Sequence, residues 1–126
     1  VNWQAWWDPA HSYSEVPGAL RLDARAGGAL VERWPGGSVE HARVLAALPP
    51  SLLRLAGGFG PLQALPVGAV LEFAITTEND STRLAMTYRV AGGAGLKLDT
   101  LAGPVDSVMS AAFDRLVTYA NTGQKP

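Results

Sequence analysis

The alternation of apolar and polar positions divides the chain into short extended segments punctuated by glycine and proline, the spacing of an antiparallel β protein. Strands are expected at Ala19 to Asp23, Ala29 to Trp34, Val39 to Ala47, Leu52 to Gly57, Ala69 to Thr77 and Thr82 to Ala91. Only the end of the chain changes period. From Leu98 onward, Leu101, Val105, Val108, Met109, Ala112, Leu116 and Ala120 recur at three and four, while Asp106, Ser110, Asp114 and Arg115 fall largely off that stripe. This predicts one long amphipathic helix with Asp99 or Thr100 as its N-cap, Gly123 as its stop, and a kink or short first turn at Gly103-Pro104.

Turn chemistry sets the register of two hairpins. A turn centred on Asn79-Asp80 places Ile75 against Leu84, Phe73 against Met86 and Leu71 against Tyr88, with Glu72 facing Thr87 and Thr76 facing Arg83 on the other side. One face is then apolar and the other polar, as the pleat requires. In the earlier hairpin, a turn over Pro35-Gly36-Gly37-Ser38 sets Glu32 directly opposite His41, with the face they occupy left open.

The expected architecture is therefore α+β: a curved antiparallel sheet of about six strands whose apolar face is covered by the single C-terminal helix, in one domain spanning residues 1–126. The connection from Gly57 to Gly68 is long and carries Phe59, Leu62 and Leu65, so it is expected to fold over the mouth of a cavity as a lid. Trp3, Trp6 and Trp7 lie at the very start of the chain. Each such ring gains by covering ~150–250 Å² of surface, so this end is expected to dock on the domain or on a partner.

Composition narrows the function classes. At 126 residues the chain can bury a real core without staples. Net charge is −1 and no basic stripe is present, which argues against nucleic acid as a partner. The absence of cysteine excludes disulfides, thiol catalysis and thiolate metal sites and is compatible with cytoplasm or periplasm alike. No apolar run approaches the ~20 residues of a membrane span, and no basic-then-apolar leader opens the sequence. A soluble chain is the expectation.

Trp6-Trp7-Asp8-Pro9 with His11 and Ser12-Tyr13-Ser14, Ala26-Gly27-Gly28, Glu32, Gly37-Ser38-Val39-Glu40-His41 with Val44, Leu53-Arg54-Leu55, Gly60-Pro61-Leu62-Gln63, Thr82-Arg83-Leu84 and Tyr88-Arg89-Val90 together resemble a bacterial START-like protein. This is the SRPBCC, or polyketide-cyclase-like, superfamily, near the branch related to activators of the heat-shock chaperone ATPase. The resemblance runs from Trp3 to about Gly123 and implies a helix-grip fold with an apolar cavity between sheet and helix. It also implies a strand and one or two short helices ahead of the Trp-Trp segment, which the chain lacks. Truncation, a natural short variant, or exchange of elements in an oligomer would each account for this, and a homodimer through an open sheet edge or the aromatic N-terminal segment is expected.

Candidate chemistry is sparse. Glu32 with His41 reads either as an acid/base pair or as an ordinary cross-strand ion pair. His11 and His41 lack a metal-ligand spacing, so no metal is expected, and no cofactor either. None of the serines sits in a Gly-x-Ser-x-Gly elbow. Gly27-Gly28 and Gly57-Gly58 read as bulges or sheet bends rather than phosphate loops. Trp6, Trp7 and Tyr13 line the ligand mouth or belong to a core or interface. Gln63 either points its amide into the cavity or caps its loop. The leading expectation is a module that holds a small apolar or amphipathic ligand, with Trp7, Glu32, His41, Gln63, Phe73, Ile75, Met86, Tyr88, Val105, Met109 and Phe113 around it. The alternatives are a cyclase or lyase using Glu32 and His41 within the pocket, and a co-chaperone-like interaction module. The first of these requires the pair to face the cavity.

Overall fold

Six antiparallel strands follow one another in sequence and in space in the computed structural model, which describes residues 2–126. They are β1 (Leu20–Leu22), β2 (Ala29–Trp34), β3 (Gly37–Leu48), β4 (Leu52–Ala56), β5 (Gly68–Glu78) and β6 (Ser81–Ala91), and a single long helix, α1 (Asp99–Thr122), completes the chain. The protein is thus α+β, an unclosed six-stranded meander with one C-terminal helix, and this architecture is compatible with a helix-grip.

The β5–β6 hairpin has the register that its turn dictates: Ile75 faces Leu84, Phe73 faces Met86, Leu71 faces Tyr88 and Glu72 faces Thr87. Asn79 takes the left-handed conformation at φ 54°, which asparagine tolerates better than most residues. The β2–β3 hairpin departs from expectation. Its turn is Pro35-Gly36 alone, so Glu32 faces Val39 rather than His41, and a bulge follows before Leu30 pairs with Ala42. A bulge adds one residue to its strand and turns two consecutive side chains to the same side. His41 and Ala42 are accordingly both buried. Glu32 and His41 meet as diagonal neighbours on the core face, a relation that the bulge creates and that turn counting alone misses.

A second irregularity near Leu45 in β3 keeps Val44 opposite Leu55 and Ala47 opposite Leu53. From there the apolar rows run across the sheet, Val44 to Leu55 to Leu71 to Tyr88, and Ala47 to Leu53 to Phe73 to Met86. The glycine pairs serve close approach. Gly27 donates to Val44 O and Gly28 O accepts from Val44 N, while a Cβ on Gly57 would run into the carbonyl oxygen of His41.

The core face is covered by two layers of side chains. Trp3, Trp6 and Trp7 are all buried and pack with Phe59 and Phe73, with the Trp3 ring 4.7 Å from Trp6 and 5.9 Å from Phe73. The helix adds Met109 and Ala112 to the same core, with Val105, Leu116 and Tyr119 packed against it. Arg115, on the polar side of the sequence pattern, turns inward instead: its Nε donates to Trp6 O at 2.8 Å and ties the helix to the first residues of the chain. The expected caps are half realised. Gly123 ends α1 in the left-handed conformation, and its N–H reaches Tyr119 O at 2.8 Å. At the other end the N-cap is Leu98, without a side-chain cap, and the Thr100 hydroxyl bonds Lys97 O rather than capping. Pro104 lies inside the helix without ending it.

Candidate functional site

The sheet and helix diverge on the β6 side, where a groove of about 740 Å³ opens between them. Met86, Tyr88 and Val90 alternate along β6 to form one wall. Leu98, Leu101, Val105, Met109 and Phe113 form the other along α1, and Leu62 closes one end. A space of this size suits a small molecule.

Leu62 is held in place from below. The segment after β4 makes a tight turn at Gly60–Leu62 that lays Phe59 into the core, stacked on His41 and parallel to Trp3. Tyr88 fastens this segment: its hydroxyl donates to Gly57 O at 2.9 Å and accepts from Phe59 N at 3.0 Å. Burial raises the Tyr88 pKa, against the opposing pull of the Phe59 N–H, so the phenol stays a neutral donor. Of the connection expected as a lid, Leu62 alone closes one end of the groove, and Tyr88 of the β6 wall bonds the backbone at Gly57 and Phe59.

Of the residues expected around a ligand, Met86, Tyr88, Val105, Met109 and Phe113 do meet in the groove. The others lie elsewhere. Phe73 is buried against Trp3 and Trp6. Ile75 shares its face but lies towards the hairpin end, where it is exposed. Gln63 is exposed beyond Leu62 and lines no part of the groove. Trp7 is in the core, its indole N–H directed to His11 O at 3.4 Å. Conversely, Asp106 and Ser110 line the groove although the helical pattern sets them off the apolar stripe. The helix presents two overlapping faces, one to the tryptophans and one to the groove. The single stripe read from the sequence takes in Leu101, Val105 and Met109 of the second face but not Asp106, Ser110 or Phe113.

Glu32 and His41 form a separate centre. Glu32 is fully buried and His41 nearly so, with His41 Nε2 2.9 Å from Glu32 Oε1. The carboxylate also accepts the backbone N–H of Tyr13 at 3.1 Å and that of Ser14 at 2.6 Å. Burial alone would raise its pKa, but the hydrogen bonds from Ser14, His41 and Tyr13 outweigh this and hold the carboxyl below its ordinary value. The pair is thus buried rather than a solvated cross-strand bridge, and it lies outside the large groove. It anchors the N-terminal segment, which Gln4 Oε1 also binds to the sheet by accepting from Leu20 N at 3.0 Å. Beside it is a void of about 20 Å³ lined by Trp3, Trp7, His11, Tyr13 and His41, wide enough for one water molecule. The Glu32–His41 pair and the large groove share no lining residue.

Among the described residues no group of three or more His, Asp or Glu side chains is placed to hold a metal ion. No helix among them is long and apolar enough to cross a membrane. No protein-family model matches the chain, and no curated protein matches it either.

Proposed function

We propose that the protein binds a small apolar or amphipathic molecule in the groove between β6 and α1. The observation that carries this reading is the groove itself: about 740 Å³ bounded by Leu62, Met86, Val90, Leu101, Val105 and Phe113, with Tyr88 bonded to the segment that carries Leu62. Removing apolar ligand surface from water there would contribute roughly 25 cal/mol per Å², less the cost of ordering. The resemblance to START-like proteins points the same way, since it implies a ligand cavity between sheet and helix. Binding is favoured over catalysis by Glu32 and His41 because these residues lie outside the groove and are shielded from solvent. No charge pattern supports the co-chaperone-like reading.

The test is titration with a neutral solvatochromic dye such as Nile red, comparing the natural chain with Ala102→Trp. Ala102 is exposed on the helix and lines the groove, so the indole fills the space at little cost to folding. Saturable one-to-one binding that the substitution abolishes is expected. No binding, or binding that Ala102→Trp leaves intact, overturns the proposal.

We also infer self-association through β6. This strand lies at one end of the sheet order and presents an 11-residue edge, a template for pairing. The aromatic N-terminal segment is not available for this purpose, because Trp3, Trp6 and Trp7 are buried within the chain's own core. Antiparallel pairing centred on Met86 would set Arg83 against Arg89 of the second copy, so another register is required. Sedimentation should show concentration-dependent dimer, and a monomer throughout would contradict it.

A further inference from the structure

The polar groups of the groove are few, and they are not balanced in sign. Tyr88 already spends its hydroxyl on Gly57 O and Phe59 N and has little to offer a ligand. This leaves Asp106 and Ser110, four residues apart and therefore on one face of α1, as the side-chain polar groups of the lining. Asp106 is the single charged residue among the lining residues; no lysine, arginine or histidine is there. Among the described residues Asp106 enters no salt bridge. Lys97 precedes the lining residue Leu98 without itself lining the groove.

We propose that the groove selects amphiphiles with a positively charged amine head over those with a carboxylate head, the ammonium settling against Asp106 and Ser110 while the apolar body lies along Met86, Val90, Leu101 and Phe113. This rests on the reading of the groove as a ligand site and adds the class of ligand. An ammonium is a pure donor and meets two acceptors on one helical turn. A carboxylate would instead bring a second negative charge beside Asp106, with no lining cation to offset it. The start of α1 supplies partial positive charge at the same end of the groove, which would favour an anion, but Asp99 in the first turn already sets a negative charge against it. Because Asp106 is exposed at the rim, the preference is modest and salt-sensitive, roughly five- to tenfold at low ionic strength.

Displacement of Nile red by decylammonium, decanoate and 1-decanol, three probes sharing one tail, provides the test. With the natural chain, decylammonium should act at roughly five- to tenfold lower concentration than decanoate, with the gap narrowing as salt is added. Asp106→Asn should close the gap and leave 1-decanol unchanged, with an unaltered unfolding midpoint showing that the fold is intact. Decanoate equal to or better than decylammonium, or a preference that survives in Asp106→Asn, overturns the amine assignment while leaving the groove reading in place, provided that Nile red binds the natural chain and Ala102→Trp abolishes that binding. If neither dye nor any probe binds the natural chain, the groove reading and the amine assignment fall together.

Discussion

Glu32 shows how a single side chain can hold a distant piece of the chain in place. Its carboxylate is buried, yet it is satisfied by an imidazole from β3 and by two backbone N–H groups of the N-terminal segment. Removing one partner of a buried polar network leaves the rest uncompensated, so Glu32→Ala should cost about 3–5 kcal/mol in urea unfolding at neutral pH. The acid dependence follows from the direction of its pKa. Because the folded state holds this carboxyl below the ordinary value of 4.5, its contribution is complete above that pH and is lost as pH falls through the lower folded value. The stability gap between the natural chain and Glu32→Gln should therefore shrink as both are measured further below pH 4.5, and a gap that persists unchanged in acid would contradict the assignment. The pairing of Glu32 and His41 was legible in the sequence only as proximity. Its role was not, because nothing local in the sequence indicates that Tyr13 and Ser14 return to this point of the sheet.

Among the elements, the β5–β6 hairpin was the most readable. Its tight turn and clean apolar alternation leave one register that sets Phe73 and Met86 side by side on the apolar face. The β2–β3 hairpin was misread twice: its turn is Pro35-Gly36 rather than four residues, and beyond it β3 contains a bulge, whose inserted residue changes the side to which later side chains point. The helix was visible as a period of three to four and Val105, Met109 and Phe113 of its groove face were named, but Asp106 and Ser110 were not, because polar residues off an apolar stripe read as facing water. The beginning of α1 is its weak end: Leu98 provides no side-chain cap, and Pro104, lacking an N–H, leaves the Thr100 carbonyl without its usual helical donor. Hydrogen exchange should accordingly be faster in residues 99–103 than in residues 108–120, and binding of a groove ligand should slow it selectively. Uniform protection along α1 would count against this account.

At the scale of the whole molecule, the strand order is purely sequential, so the sheet is assembled from neighbouring hairpins. The two ends of the chain close it: the bond from Arg115 to Trp6 O joins residues 109 positions apart, and the tryptophans there fill the space between sheet and helix. This placement makes the aromatic segment an optical gauge built into the protein. Three of its four tryptophans sit in that one segment and the fourth, Trp34, lies at the far end of β2, so intrinsic emission reads whether the segment is docked while circular dichroism reads the strands and helix. A red shift without loss of secondary structure would mean that the seal between sheet and helix has opened while the sheet and helix themselves persist.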